Sequence, residues 1–481
     1  MKAIELKHVG FSYEGYEGKV LTDACLHVEY GEIALLSGFS GEGKSTVLAL
    51  LAGIIPNVTP GEITGEVCID GENIVGQKMN EVCRKVGVVL QNAEAQIIQQ
   101  LVEDEIAFGC ENFAFSPERI KGCVERACGQ MKLDPGWKTR TLSGGQKQRL
   151  ITAATLATEQ KILVLDEPLA NLDKPGAELL MTTLRQLTRS GYAVLVVEHR
   201  LDMVLPYVDT VFRIQAGRIS KVENKREYLR EQAKYIQDEC RASNAKDPAL
   251  QIAHVGFSVK GREILRDVEF TVKKGERVIL LGENGCGKTT LLRLLARLYA
   301  PSRGSITQSI DPKLGQKPKG SHEWFKKVGV VYQNPNYQLF MPTVEQEVAF
   351  GAPSQQDAQE IMELFGIAHL AHRHPQSLSE GQKRRVSIAA VVASKPEVLL
   401  LDEPTVGQDY TGLSELIHIL NRIHEQYGNT MITITHDMRC AEALCDHAVL
   451  IEKGVVAQEG GKELAHRYFF GESNPPAKPE A

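Results

Sequence analysis

The strongest constraint on the fold is that this sequence of 481 residues repeats a set of motifs in the same order. The stretch GFSGEGKST at 38–46 returns as GENGCGKTT at 282–290, and VVLQN at 88–92 returns as VVYQN at 330–334. The later motifs LSGGQ, VLDEP and EH return as LSEGQ, LLDEP and TH. Because the order never changes, the pattern indicates tandem duplication of a whole domain, with a period too long for a solenoid of short repeats.

The length and the repeat together set the expected domain limits. At ~150 residues per domain, a chain of this size fits two or three domains. We predict a first domain at 1–225, a linker at 226–248 and a second domain at 249–471. The remaining segment, 472–481, is rich in proline and is predicted to be disordered.

Composition excludes several classes of protein. Hydrophobic residues make up 43% and charged residues 24%, which is typical of globular domains and excludes wholesale disorder. The net charge of −6 provides no global positive field, so no nucleic-acid partner is predicted. The cysteines form no CxxC pair, the N-terminus lacks an apolar signal run, and no stretch reaches the ~18 apolar residues of a membrane-spanning helix. We expect a reducing cytoplasmic location and at most a peripheral membrane role.

Unbroken apolar runs predict the fold class. They lie at Ile162–Leu165 and Ala193–Val197 in the first copy, and at Val398–Leu401 and Thr430–Thr433 in the second. Strands covered on both faces have this character, which is typical of parallel sheets in α/β proteins. Each glycine-rich stretch also lies between an apolar run and a leucine-rich helical pattern. We therefore predict an α/β fold for both copies.

The glycine-rich stretches are complete phosphate-binding loops (P-loops). In such loops the backbone N–H groups surround phosphate oxygens, Lys44 and Lys288 reach the terminal phosphates, and the hydroxyls of Ser45 and Thr289 bind Mg²⁺. Two complete copies predict two nucleotide sites. The predicted nucleotide-binding residues of these loops are Gly38, Phe39, Ser40, Gly41, Glu42, Gly43, Lys44, Ser45 and Thr46, then Gly282, Glu283, Asn284, Gly285, Cys286, Gly287, Lys288, Thr289 and Thr290.

An acidic pair follows a buried strand in each copy. Asp166 and Asp402 end apolar runs, where a carboxylate is costly unless it meets a cation, so both are predicted to bind Mg²⁺ directly or through water. The next residues, Glu167 and Glu403, are placed to polarise an attacking water. Downstream of a P-loop, this pair predicts nucleotide hydrolysis.

Together with these motifs, LSGGQ and LSEGQ make the chain resemble the ATP-binding cassette (ABC) ATPases over about 470 residues. The resemblance implies a P-loop NTPase fold with two tandem ABC-ATPase domains. Each would have a RecA-like core, an antiparallel β subdomain and a helical subdomain that carries the family's signature motif, here LSGGQ or LSEGQ. It also implies an ATP hydrolase that uses ATP and Mg²⁺.

The resemblance implies further site residues. Gln91, Gln333, His199 and His436 join the two glutamates as catalytic residues, and the two glutamines also bind the metal. In the family, the signature serine and glycine amides complete the partner's nucleotide site, so two domains pair head to tail within one chain. Lys44, Asp166, Glu167 and His199 would then face Ser379 and Gly381, while Lys288, Asp402, Glu403 and His436 would face Ser143 and Gly145.

Three departures predict that the two sites are unequal. Tyr13 stands where the family stacks a ring on adenine, but the aligned residue in the second copy is Val259. Glu380 replaces a signature glycine, and the D-loop reads NLD at 171–173 but GQD at 407–409. Cys286 lies inside the second P-loop, where the positive potential of a helix start is expected to favour the thiolate.

The segment after each glutamine indicates a branch of the family. QNAEAQIIQQLVEDEIAFG and QNPNYQLFMPTVEQEVAFG align without gaps, and the second version and LVVEHRLDMV at 195–204 look like the ATPases of energy-coupling factor importers. That resemblance implies uptake of a vitamin or transition-metal ion at the cytoplasmic face of a bacterial or archaeal membrane. The implied partners are a transmembrane coupling protein and a substrate-binding membrane protein.

Two other functions stay open. Tandem-cassette translation factors that act on ribosomes are soluble, but they join their domains with a long basic helical arm, and the link here is short with mixed charge. Tandem sugar-importer ATPases have similar length but usually a degenerate second cassette, whereas the P-loop at 282–290 is intact.

Overall fold

The computed structural model describes residues 2–15, 18–39, 41–170, 172–225, 227–228, 247–310, 321–408 and 410–470. The chain divides near residue 235 into two units, which we call unit 1 and unit 2. Most of the predicted linker and all of the predicted tail lie outside the described residues. Among the helices that the structure describes, none combines the length and the apolar composition needed to cross a bilayer.

The centre of unit 1 is a mainly parallel sheet with the strand order β10-β9-β3-β8-β7-β6. Its strands are β3 (Ile33–Ser37), β6 (Val86–Val89), β7 (Ile162–Asp166), β8 (Ala193–Val197), β9 (Thr210–Gln215) and β10 (Arg218–Lys221). Every residue of β3, β7 and β8 is buried, as expected for strands covered on both faces. The carboxyl ends of these strands therefore share one edge of the sheet, where α/β proteins bind ligands.

A second, antiparallel sheet in unit 1 has the order β2-β1-β4-β5. Its strands are β1 (Lys2–Tyr13), β2 (Leu21–Glu29), β4 (Gly61–Ile69) and β5 (Glu72–Asn73). Burial alternates along β2, so one face of this strand packs on the core. Apolar residues from both sheets join one hydrophobic cluster, which fixes the end of β1 near the P-loop helix.

Nine α-helices of unit 1 lie within the described residues. They are α1 (Lys44–Leu51), α2 (Ile54–Asn57), α3 (Met79–Lys85), α4 (Ala93–Gln96), α5 (Val102–Asn112), α6 (Pro117–Met131), α7 (Gly144–Ala157), α8 (Lys174–Arg189) and α9 (Leu201–Val204). Helices α5, α6 and α7 pack on one another. They form the helical part of the unit, which the signature motif LSGGQ enters at the start of α7.

In unit 2 the antiparallel and parallel parts form one sheet of nine strands, ordered β14-β11-β12-β19-β18-β13-β17-β16-β15. Asp267 of β12 pairs with Val455 of β19, and this pairing joins the two parts. The strands are β11 (Pro248–Val259), β12 (Arg262–Lys273), β13 (Arg277–Leu281), β14 (Arg303–Gln308), β15 (Val328–Val331), β16 (Val398–Asp402), β17 (Thr430–Ile434), β18 (His447–Glu452) and β19 (Val455–Gly460).

The helices of unit 2 follow the same plan. Those within the described residues are α10 (Lys288–Leu295), α11 (His322–Lys327), α12 (Val344–Ala349), α13 (Gln355–Leu364), α14 (Glu380–Val392), α15 (Tyr410–Tyr427), α16 (Met438–Ala443) and α17 (Lys462–Phe470). Strand β13 contributes to two hydrophobic clusters. Val278 and Leu280 face one cluster, and Ile279 and Leu281 face the other.

Candidate nucleotide-binding sites

The P-loop of unit 1 connects β3 to α1 and closes around its own lysine. Lys44 Nζ donates hydrogen bonds to the carbonyl oxygens of Gly38, at 2.8 Å, and Phe39, at 2.7 Å. Gly43, immediately before the helix, has φ = +102°, a backbone conformation that residues with a side chain rarely adopt. The loop therefore holds a buried ammonium group beside a helix N-terminus, which is the arrangement that binds phosphate. Ser40 lies outside the described residues.

The P-loop of unit 2 has the same geometry. Lys288 Nζ donates to the carbonyl oxygens of Gly282, at 2.6 Å, and Glu283, at 2.9 Å. Gly287 has φ = +109°. The intact second loop is therefore formed in the same way as the first.

The expectation that Cys286 is a thiolate is wrong. Its thiol is only 8% exposed, and burial raises its pKa although the positive charge of Lys288 acts in the opposite direction. The sulfur lies 4.0 Å from Lys288 Nζ. Sequence reasoning recognised the positive surroundings but could not see that desolvation outweighs them.

Three predicted catalytic side chains meet at the end of β7 in unit 1. The Gln91 amide donates to Glu167 Oε2 at 3.0 Å, and His199 Nε2 lies 3.3 Å from Glu167 Oε1. Glu167 has φ = +47°, an uncommon and strained value for this residue type. Burial alone would raise the pKa of Glu167, but hydrogen bonds from His199 and Gln91 and the charge of Lys44 bring it below its ordinary value. The group is thus held as a carboxylate.

The equivalent group in unit 2 has different contacts. His436 Nε2 lies 3.4 Å from Glu403 Oε1, and the backbone N–H of His436 donates to Glu403 Oε2 at 3.1 Å. The same ring nitrogen lies 3.0 Å from Asn284 Oδ1 of the P-loop. Glu403 also has a positive φ, +50°. The structure therefore brings Glu403, His436 and the P-loop together.

The two predicted metal-binding aspartates have raised pKa values. Burial, helped by the adjacent charge of Glu167, raises the pKa of Asp166 to about 7. Burial, helped by Glu403, raises the pKa of Asp402 to about 6. A buried carboxyl with a raised pKa is stabilised as an anion when a cation arrives.

The side-chain oxygen atoms at these positions are of the kind that binds Mg²⁺. Thr289 Oγ1 donates to Asp402 Oδ1 at 3.3 Å, so a hydroxyl and a carboxylate, both ligands that Mg²⁺ prefers, are adjacent. The residues that would hold Mg²⁺ are Ser45, Gln91 and Asp166 in unit 1, and Thr289, Gln333 and Asp402 in unit 2. When bound, the ion neutralises phosphate charge.

The predicted adenine-stacking position differs between the units. The Tyr13 hydroxyl lies 2.9 Å from Thr46 Oγ1, at the start of α1, and its ring packs edge-on against Phe11 at 4.7 Å. Val259, at the matching end of β11, has no ring and is 44% exposed. Of these two positions, only Tyr13 in unit 1 places a ring next to the P-loop helix.

The signature serines begin their helices as N-caps. Ser143 and Ser379 each accept a hydrogen bond from the backbone N–H three residues later, from Gln146 and Gln382, both at 3.3 Å. Both serines are exposed. The carboxylate of Glu380, which replaces a signature glycine, forms an ion pair with Lys383 at 3.1 Å. Its charge is therefore neutralised within its own helix.

Sequence reasoning missed several groups because their members come from separate segments. Glu198, beside His199 in the EH motif, is 3% exposed, yet the motif gave it no predicted role. Among the described residues, His8, Asp23 and Cys25 are grouped closely enough to hold a metal ion, but all three are exposed on β1 and β2. His8 Nδ1 is already hydrogen-bonded to Asp23 Oδ1 at 2.6 Å.

Comparison with known proteins agrees with this geometry. The family model described as "ABC transporter" matches residues 21–170 and 265–406. A putative ABC transporter ATP-binding protein of Methanosarcina mazei is 31% identical, covering 95% of this chain and 88% of its own length. The putative HMP/thiamine import ATP-binding protein YkoD of Bacillus subtilis is also 31% identical, over 95% of this chain and 91% of its own.

Solved structures show the same fold. A chain in a model of ribosome-bound archaeal Pelota and ABCE1 has a TM-score of 0.72 at 21% identity, covering 96% of this chain and 80% of that one. The RNase-L inhibitor has a TM-score of 0.67 at 21% identity, covering 96% and 92%. At this identity the likeness concerns the fold alone, and it confirms the predicted fold class. The chain belongs to the ABC transporter family and is an ATPase with two tandem cassettes, one in each unit.

Proposed function

We propose that this ATPase energises a membrane importer of the energy-coupling factor type, for a vitamin or a transition-metal ion, from the cytoplasmic face of the membrane. Three exposed rings in unit 2, two of them in contact with each other, carry the proposal, and we call them the aromatic patch. Tyr337, Phe340 and Phe350 are 71%, 66% and 70% exposed, and the last two pack edge-on at 5.5 Å. Exposed apolar clusters of this kind mark protein interfaces.

A buried carboxylate holds the loop that presents the aromatic patch. Glu347 Oε2 accepts hydrogen bonds from the backbone N–H groups of Phe340, at 2.9 Å, and Met341, at 2.7 Å. Because Glu347 is only 4% exposed, these bonds are shielded from water. The patch is therefore pre-shaped, and this lowers the entropic cost of binding a partner.

Unit 1 has the same support but a smaller apolar surface. Glu105 Oε2 accepts from the backbone N–H groups of Ile98, at 2.8 Å, and Gln99, at 2.6 Å. Ile98 is 68% exposed, whereas Phe108 is partly buried. Two related but unequal surfaces suit a transmembrane partner that offers two different segments, such as amphipathic helices that dock in grooves.

We also propose roles for the residues of the two nucleotide sites, based on the contacts of Glu167 and Glu403. Glu167 and Glu403 activate water, Gln91 and Gln333 link water and metal to the glutamates, and His199 and His436 orient the glutamates.

Membrane retention tests the proposal. The full chain is coexpressed with candidate integral subunits, with and without the double substitution Phe340→Ser, Phe350→Ser. We expect the parent to fractionate with membranes only when its integral partner is present, and the double variant to lose this retention while it still hydrolyses ATP. Phe325→Ser is the matched control, because Phe325 is an exposed phenylalanine of the same unit, 41% exposed, outside the aromatic patch.

Two outcomes would contradict the proposal. The double variant could remain on membranes as well as the parent does, which would exclude the aromatic patch as the docking surface. Alternatively, the parent could cosediment with ribosomes without any membrane partner, which would favour the translation-factor function.

A further inference from the structure

The backbone N–H of the proposed catalytic histidine has a different acceptor in each unit. In unit 2 this N–H, from His436, donates to the carboxylate of Glu403 at 3.1 Å. In unit 1 the N–H of His199 donates to Glu198 Oε1 at 3.0 Å. The neighbouring glutamate thus takes the bond that the proposed catalytic glutamate accepts in unit 2.

This exchange changes what Glu167 contacts. Its two oxygens face side chains of the site, the Gln91 amide at 3.0 Å and the His199 ring at 3.3 Å. One oxygen of Glu403 instead accepts a backbone N–H, so the main chain occupies that oxygen. Both oxygens of Glu167 are therefore left to the side chains of the site, and Glu198 is what keeps the His199 N–H from them.

Glu198 also fixes the segment after Glu167. Its second oxygen, Oε2, accepts from the backbone N–H of Leu169 at 3.0 Å. Arg200 Nη1 donates to the carbonyl oxygens of Leu169, at 3.3 Å, and Leu172, at 2.8 Å. The residues on either side of His199 therefore hold both the N–H and the C=O of Leu169.

Unit 2 has a weaker link at the same place. Thr435 occupies the position of Glu198, and its hydroxyl lies 3.3 Å from that of Thr405 and accepts from the backbone N–H of Asp437 at 3.0 Å. A hydroxyl offers one oxygen where the Glu198 carboxyl offers two, so it cannot hold both segments in the same way. Glu198 is thus a feature of unit 1 that has no carboxylate equivalent in unit 2.

We propose that Glu198 is a positioning residue that raises the hydrolysis rate at the unit 1 site by keeping the His199 backbone away from Glu167. The inference rests on the proposed role of Glu167 as the group that activates water. Glu198 itself does not contact nucleotide in this scheme, so its loss should change turnover and not ATP binding.

The test uses the full chain with Glu403→Gln, so that only the unit 1 glutamate activates water. In this background Glu198→Thr introduces the residue that unit 2 already accommodates. We expect kcat to fall about tenfold while KM for ATP and the Kd of a fluorescent ATP analogue stay within about twofold, because the N–H groups of His199 and Leu169 lose their carboxyl acceptor while the P-loop is untouched. Thr435→Val in the same background is the matched control and should leave kcat unchanged.

Glu198→Gln keeps the test decisive if the threonine variant folds poorly. The amide has the same shape but offers one acceptor oxygen, so it cannot serve Leu169 and His199 together. We expect Glu198→Gln to lower kcat as well, with an unchanged melting temperature. The inference is overturned if kcat stays within about twofold of the parent, or if kcat falls only together with nucleotide affinity and melting temperature, as a purely structural role requires. The role of Glu167 is checked separately, because the Glu403→Gln parent must hydrolyse ATP and the Glu167→Gln, Glu403→Gln protein must not.

Discussion

Unit 1 and unit 2 carry the same motifs in the same order, yet they differ around those motifs. In unit 1 Tyr13 is hydrogen-bonded to the P-loop helix, and the two oxygens of the proposed catalytic Glu167 face side chains. In unit 2 the position of Tyr13 is taken by Val259, and one oxygen of Glu403 accepts a hydrogen bond from a backbone N–H. The P-loop lysines and the acidic pairs are thus the same in both units, whereas the side chains around them differ.

The largest expected effect comes from removing both proposed water-activating groups. Glu167→Gln with Glu403→Gln should lower kcat by about 100-fold or more and leave ATP binding intact, because general-base assistance is lost while the P-loops remain. Steady-state ATPase assays and nucleotide titration measure this. Of the two single variants, Glu167→Gln should lose more activity. Glu178→Gln, on the exposed face of α8, is the control, and a double variant with the parent rate would show that the glutamates do not activate water.

A second comparison concerns an arginine–aspartate ion pair near the parallel sheet of each unit. In unit 2 Arg277 is 1% exposed and pairs with Asp446 at 2.6 Å, whereas in unit 1 the arginine is Arg185 of α8, which pairs with Asp209 at 2.6 Å and is 34% exposed. Arg277→Met should cost about 3–5 kcal/mol of unfolding free energy because it leaves a buried carboxylate unpaired. Arg185→Met should cost about 1 kcal/mol or less.

Urea denaturation of the two arginine variants measures the difference. The position of the arginine differs although the aspartate is in the same place, so Asp209→Asn and Asp446→Asn provide the reciprocal controls. Equal losses for the two arginines would mean that burial does not distinguish the pairs.

The raised pKa values of Asp166 and Asp402 predict different pH windows for stability. A carboxyl whose pKa is higher in the folded state holds its proton there, so its contribution is full at low pH and is lost as pH rises to the folded value. Asp402 should finish this loss near pH 6 and Asp166 near pH 7. Without Mg²⁺ or nucleotide, Asp166→Asn should therefore remove a fall of about 1 kcal/mol between pH 6 and 7. Asp402→Asn should change that interval much less, and an effect of the same size from both variants would contradict the assignment.

The smallest expected effect concerns the adenine side. Tyr13→Val should raise KM for ATP about threefold, because a stacked ring contributes roughly 0.5–1.5 kcal/mol. Val259→Tyr should strengthen nucleotide binding by a similar factor. Tyr13→Phe separates the ring from the hydrogen bond to Thr46, and if it behaves like Tyr13→Val, the hydroxyl and not stacking explains the difference.

Sequence patterns were sufficient where one local segment carries the chemistry. The P-loop lysines, the buried strands before Asp166 and Asp402, and the signature serines at helix starts follow from spacing and apolar runs. The meeting of Gln91, Glu167 and His199 required the family resemblance, because three strands of the sheet bring them together. Nothing in the local sequence indicates that Glu198 bonds to Leu169, since the two belong to segments about 30 residues apart.

The same limit explains the error at Cys286. A helix start predicts a positive potential, but the balance between that potential and burial depends on how completely the surrounding chain covers the sulfur. The roles of Glu105 and Glu347 were missed for a related reason. Both lie in the first turn of a helix, and only the folded loop shows that each accepts two backbone N–H groups.

Strand β13 has a consequence for how unit 2 opens. Its successive side chains enter two different hydrophobic clusters, with Val278 and Leu280 on one side and Ile279 and Leu281 on the other. The strand cannot detach from one cluster without leaving the other, so the amide protons of both clusters should exchange with solvent in a single cooperative event. Partial unfolding of unit 2 is thereby directed to its periphery, and the strand that leads into the second P-loop is among the last parts of the unit to exchange.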